Sequence, residues 1–155
     1  MITENRLVKL RQQIKMKQPL IHCITNHISI DSCANAVLAM GAKPIMAEHP
    51  AEVAEITAEA QALMVNLGNL SDVRMKAMDI SVNEARIRGV PWILDVVGVG
   101  CSQLRLNFAH QLMEEHRPMV MKGNESEIRA ICGLPHHAKG VDTGEQGSQE
   151  QALAA

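Results

Sequence analysis

Residues 91–100 read PWILDVVGVG, a near-continuous apolar run with a carboxylate near its far end and two glycines beyond it. A run bounded by proline and glycine, dense in Trp, Ile, Leu and Val, reads as a strand buried on both faces of a parallel sheet. Asp95 then stands at the carboxyl end of that strand, the edge where ligands bind in open parallel sheets. A carboxylate ending an apolar run must be paired, hydrated or metal-bound. Gly98 and Gly100 fit a tight turn that presents backbone amides to an anion. The dinucleotide fingerprint needs a third glycine where Gln103 stands, so the phosphate motif is weak and a plain strand-to-helix turn is the better reading of the pair.

Working outward, the same kind of run recurs in LIHCIT (20–25), PIMA (44–47), ALMVNL (62–67) and PMVMK (118–122). Amphipathic stretches separate them. Leu7, Leu10 and Ile14 follow Thr3 as N-cap, and Pro19 stops that helix. Ile30, Ala34, Val37 and Leu38 share a helical face that ends at Gly41. Pro50 is expected to open a helix with Val53, Ile56 and Ala60 inward. Ser71 caps a helix striped by Met75, Met78, Val82 and Ala85, which Gly89 terminates. Ser102 starts another, with Leu104, Phe108 and Leu112 on one side, and Asn124 opens a short one. Strands alternating with helices predict an α/β fold: a parallel sheet of five strands covered by helices on both faces.

The chain has 155 residues, room for one domain, with 46% hydrophobic and 21% charged residues and a formal net charge of −2. That balance speaks against nucleic acid as a main partner, which needs a basic surface. Trp92 and Phe108 are the only aromatics, so base stacking is not available either. No apolar run approaches the roughly 20 residues of a membrane span. The polar N-terminus does not read as a signal peptide, so a cytoplasmic protein is expected. Cys23, Cys33, Cys101 and Cys132 show no CxxC spacing and read as free thiols.

The strand ends gather the polar groups: Thr25 and Asn26, Met46 and Glu48, Asn66 and Gly68, Asp95, then Lys122, Asn124 and Glu127. In KGNESE (122–127), Asn124 and Glu127 are spaced as a capping box, which alone would account for both. The functional alternative sets Glu127 beside Asp95 with Lys122 nearby, two carboxylates and a cation suited to Mg²⁺ and a polyphosphate. His22, Cys23, His27 and Cys33 invite a zinc reading, but His22 and Cys23 face opposite sides of a strand and cannot easily share an ion.

The segments at 19–53, 62–70 (ALMVNLGNL), 89–100 (GVPWILDVVGVG), 121–128 (MKGNESEI) and 139–145 (KGVDTGE) together resemble the hydroxyethylthiazole kinase family, in order and spacing. The resemblance implies a ribokinase-like fold, a homotrimer, and transfer of the γ-phosphate of ATP to 4-methyl-5-(2-hydroxyethyl)thiazole in thiamine salvage. It implies that Met46 contacts the thiazole and that Asn26 and Gly68 line the same pocket, at a subunit boundary. Asp95 and Glu127 would organise Mg²⁺, and Lys122 would contact ATP phosphates. If so, Asp95→Asn and Glu127→Gln, made separately in a full-length version carrying this N-terminal half, are expected to lower turnover while sparing the melting temperature.

Three departures from the family pattern stand out. Val96 replaces the proline of Asp-Pro-Val-Gly, which frees φ and is expected to loosen the turn. Lys122 replaces the arginine of Arg-Gly-Asn, which keeps the charge but loses the bidentate fork. Family members are longer, and their C-terminal half carries the Gly-rich anion hole and the catalytic residue. Residues 1–155 are therefore expected to be the N-terminal portion of one kinase domain, with 134–155 a poorly packed tail. On this reading turnover is weak or absent. The alternative is a non-catalytic remnant that self-associates or binds a partner.

Overall fold

A computed structural model describes residues 4–135. The elements alternate as α1 (Glu4–Lys17), β1 (Leu20–Ile24), α2 (Ile30–Met40), β2 (Lys43–Ile45), α3 (Val53–Glu59), β3 (Ala62–Asn66), α4 (Asp72–Arg88), β4 (Trp92–Asp95), α5 (Gln103–His116), β5 (Val120–Lys122) and α6 (Glu125–Ile131). The five strands form one parallel sheet in the order β2-β1-β3-β4-β5. The predicted fold class is the one observed. Each strand is shorter than its apolar run, because the ends peel away into the turns that carry the polar residues.

The helix ends follow local chemistry. Ser71 and Ser102 each accept an amide bond from three residues on, from Arg74 and Arg105. Gly41 and Gly89 close α2 and α4 at φ 91° and 69°, where glycine escapes the Cβ penalty. Asn124 and Glu127 form a complete capping box. Thr3 and the tail from 136 onward lie outside the described residues.

His22, Ile24, Leu63, Val65, Trp92 and Leu94 point to one face, where they join Met78, Val82, Phe108 and Leu112 in the buried core. α3, α4 and α5 lie on that side. The other face is served by α1 and α2, whose Ile14, Val37 and Met40 line an apolar groove with Ile21. Three inward assignments shift. Leu38 and Leu104 are 55% and 58% exposed, and Thr57 takes the buried place expected for Ile56. α2 lies over the edge of the sheet and has no fully buried residue, so its apolar face has little to press against. Pro50 sits in a turn, and α3 starts three residues later at Val53.

Candidate phosphate and substrate site

The parallel register aligns Asn66, Asp95 and Lys122 as one row across β3, β4 and β5. Residues in register point to the same face. Asn66 Nδ2 donates to Asp95 Oδ2 at 3.0 Å, and Lys122 Nζ reaches the two Asp95 oxygens at 3.3 and 3.2 Å. The Lys122 side chain is 65% exposed against 16% for Asp95. The pair is thus an exposed cation over a largely buried carboxylate. The row extends toward β1 through Asn26, whose Nδ2 lies 3.5 Å from Asn66 Oδ1.

Gly68 is required where it stands. A Cβ there would meet Asn26 Cβ at 2.5 Å, and its amide donates to Asn66 Oδ1 at 2.8 Å. Asn26, Asn66 and Gly68 therefore pack as one wall. Met46 follows β2 at the adjacent strand end and is half-buried. Its loop is held from below by His22, whose Nε2–H donates to the Ala47 carbonyl at 2.9 Å while Nδ1 accepts from Thr57 Oγ1 at 2.9 Å. That tautomer satisfies both partners. Burial pushes the His22 ring below its usual pKa, with the Ala47 carbonyl and Glu52 acting against the shift.

Glu127 is buried, and each of its oxygens takes a backbone amide. Oε1 accepts from Gly98 at 2.8 Å and Oε2 from Asn124 at 2.7 Å. The side chain caps its own helix and also ties the turn after β4 to the turn after β5. The spacing disclosed the cap; the bond to Gly98 crosses 29 residues and was not foreseen. Glu127→Gln would set an NH₂ against one of these donors, so the expectation that it spares stability is corrected. Val96 also behaves differently from expectation. Its N–H donates to the Lys122 carbonyl at 2.9 Å, extending the ladder with a bond proline could not make. Gly98, at φ 69°, then turns the chain.

Two arginines complete the setting, and the sequence pattern singled out neither. Arg74, 4% exposed, reaches from α4 to the Thr25 carbonyl and to Glu48, with His27 Nε2 at 3.3 Å. Arg105, on α5, grips the carbonyls of Leu67 and Gly68 and lies 3.4 Å from that of Val97. They fix the turns after β1, β3 and β4. A charged residue one turn inside a helix that faces the carboxyl edge of the sheet is the clue in hindsight. His22 meets α3 through Thr57, while Cys23 meets Cys33 on the other face, so no common zinc site forms. Burial, with the Cys33 thiol alongside, pushes Cys23 up to about 12.

A family profile described as "Hydroxyethylthiazole kinase family" matches residues 11–155. Over 138 residues the chain is 54% identical to hydroxyethylthiazole kinase 1 of Clostridium botulinum (strain Loch Maree / Type A3), covering 89% of this chain and 52% of that relative. It is 42% identical over 135 residues to hydroxyethylthiazole kinase of Alkaliphilus metalliredigens (strain QYMF), covering 87% and 50%. Among solved structures, the hydroxyethylthiazole kinase protein from Pyrococcus horikoshii OT3 superposes with a TM-score of 0.80 at 32% identity, over 83% of this chain and 50% of that one. The chain spans about half the length of the curated relatives it matches.

Proposed function

The chain belongs to the hydroxyethylthiazole kinase family, and from that premise we propose that it takes part in phosphorylating 4-methyl-5-(2-hydroxyethyl)thiazole with ATP, in thiamine salvage. The reading rests above all on the row Asn66–Asp95–Lys122, which sets a carboxylate and an exposed cation side by side at the carboxyl edge of a parallel sheet. Met46, Asn26 and Gly68, at the neighbouring strand ends, would line the thiazole pocket. In the homotrimer we propose, that pocket lies at a boundary between subunits. Ile28, 91% exposed beside Asn26, and the unburied apolar face of α2 support such a boundary. A cytoplasmic location goes with this reading, since the proposed co-substrate ATP is at hand there.

The donor set fits Mg²⁺, a hard cation that is held through one or two carboxylates, water and substrate phosphates. Asp95 offers an accessible carboxylate once Lys122 swings to a phosphate. Glu127 would act on the same shell through water, its geometry held by two amides. When bound at Asp95, the ion would supply positive charge to offset the charge that grows on the phosphate during transfer. Lys122 would supply a single point charge to the phosphates. Arg105 would keep the turns after β3 and β4 in position, and Glu127 would keep the Gly98 turn against α6. Phosphoryl transfer depends mainly on such positioning and electrostatics.

The test is an amide and side-chain NMR titration of the 155-residue chain with thiazole alcohol, and separately with ATP and Mg²⁺. Thiazole alcohol should shift Asn26, Met46 and Gly68, and the nucleotide should shift Asp95, Gly98 and Lys122. Formation of phosphorylated thiazole above the uncatalysed background would establish turnover. Shifts confined to other regions, or none at millimolar ligand, would refute the assignment.

A further inference from the structure

α4 and α5 lie side by side, and where α5 ends they bring together three donors that the reading above does not use. His116 is the last residue of α5. Its Nε2 lies 3.4 Å from Asp79 Oδ1 and 3.6 Å from Glu115 Oε2. One ligand atom from each of the three residues falls within 4.8 Å of the others. The imidazole is 8% exposed, and its Nδ1 is buried without a partner. Nε2 is therefore the one edge the ring turns to a polar environment. The helix end that carries it is anchored, because the His116 carbonyl accepts from Trp92 Nε1 at 3.3 Å. Among the described residues, Asp79 and Glu115 bond to nothing else.

Two physical points favour a cation here. A charge-assisted N–H···O bond settles near 2.7–2.9 Å, so the separations of 3.4 and 3.6 Å are too long for well-formed hydrogen bonds. Donors bonded tetrahedrally to one ion at about 2.0–2.1 Å stand about 3.3–3.4 Å apart, close to the two separations measured from Nε2. The second point is stoichiometric. A neutral ring has at most one hydrogen at Nε2 and serves one carboxylate through it, yet two carboxylate oxygens stand within 3.6 Å of that atom, and a cation held at Nε2 would serve both.

We propose that Asp79, Glu115 and His116 form a site for a first-row divalent ion such as Zn²⁺ or Co²⁺, with an open position for water. One imidazole with two carboxylates suits these ions, whereas Ca²⁺ and Mg²⁺ are held by oxygen alone. The site is separate from the Asp95 edge. His116 precedes β5 and Lys122 ends it, so the two lie at opposite ends of that strand. An ion there staples α4 to α5, since Asp79 belongs to one helix and the other two ligands to its neighbour.

The test uses the 155-residue chain with Co²⁺ alone as probe, followed by visible absorption, by the imidazole resonances of His116, and by thermal melting. The expected result is binding at one equivalent, with the His116 ring shifted first and the melting temperature raised. His116→Gln and Asp79→Asn should each weaken binding by at least about tenfold. Asp79 is half exposed, so its variant keeps the fold and remains informative if the histidine variant does not. Co²⁺ binding that survives both substitutions belongs to other groups, such as the exposed thiols Cys101 and Cys132, and overturns the proposal. A His116 ring that responds to pH but not to Co²⁺ marks an ordinary ion pair and overturns it equally.

Discussion

Two adjacent rows of the sheet differ sharply. Ile24, Val65 and Leu94 stand in register on one face and are 1%, 0% and 0% exposed. One residue back along each strand, the row Cys23, Met64, Ile93 and Val120 points to the other face. Its exposure climbs from 2% at Cys23 to 40% at Ile93 and 47% at Val120. The residue types are nearly the same, so hydrophobicity does not set the difference. What sets it is cover: α3, α4 and α5 close the first face along its length, while α1 and α2 shield only the β1–β2 side of the second. The polar row Asn66–Asp95–Lys122 shares this second, open face. The chain thus keeps its rigid core on one side and its candidate site on the other.

The largest effect should come from breaking this contrast directly. Leu94→Ala removes a side chain with no exposed surface and should destabilise the fold by about 2–5 kcal/mol. Ile93→Ala, one residue away on the open face, should lose less than about 1 kcal/mol, because its side chain already meets water. Urea unfolding of the two variants measures the gap. Equal losses would mean that the second face is covered in solution, by another copy of the chain or otherwise.

The next contrast sets the two carboxylates apart. Glu127→Gln leaves a buried amide donor facing another donor, at a cost of about 1–3 kcal/mol. Asp95→Asn removes a partner of an exposed lysine and should cost under about 1 kcal/mol. Denaturant midpoints of both variants decide the matter. If Glu127→Gln proves neutral, the clamp between the Gly98 turn and α6 is not what holds this edge.

His22 predicts a pH effect. Its ring is buried neutral and its pKa in the fold lies below the ordinary 6.5. On acidification the unfolded chain takes up this proton first, so the stability tied to His22 is full above 6.5 and erodes as pH falls below that value toward the folded pKa. The melting temperature should therefore drop between neutral and mildly acid pH. His22→Gln should flatten that slope, although it lowers stability at pH 7. An unchanged slope in the variant would assign the acid sensitivity to other groups.

These contrasts also separate what the sequence disclosed from what it could not. The strands and caps were legible because their causes are local: an apolar run, or a Ser, Asn or Gly at a helix end. The register that lines up Asn66, Asp95 and Lys122 was half legible, since all three were seen to end strands, but strand order comes only from packing. Leu38 and Leu104 misled because an apolar residue is buried only if something lies over it. Arg74 and Arg105 escaped notice because their partners, the carbonyls of Thr25 and Gly68, are 49 and 37 residues away. The second bond of Glu127 was hidden for the same reason, although its capping role was plain from a spacing of three.

The smallest predicted change in stability is the most telling about the site. Lys122 is 65% exposed, so its ion pair with Asp95 is well solvated and contributes little to the fold. Lys122→Arg keeps the charge and should shift stability by no more than about 0.5 kcal/mol. Its effect on phosphate is different in kind. The planar guanidinium offers two parallel donors where the ammonium offers one point of charge, so ATP with Mg²⁺ should bind the arginine variant as tightly or more tightly. Titration calorimetry with the nucleotide, beside urea unfolding, reads both quantities on the same preparation. Weaker nucleotide binding at unchanged stability would mean that Lys122 faces Asp95 and not phosphate. A stability loss well beyond the predicted range would mean that the pair is part of the frame. Asp95 would then be occupied by its lysine, and the open face would lose the accessible carboxylate on which the metal assignment depends.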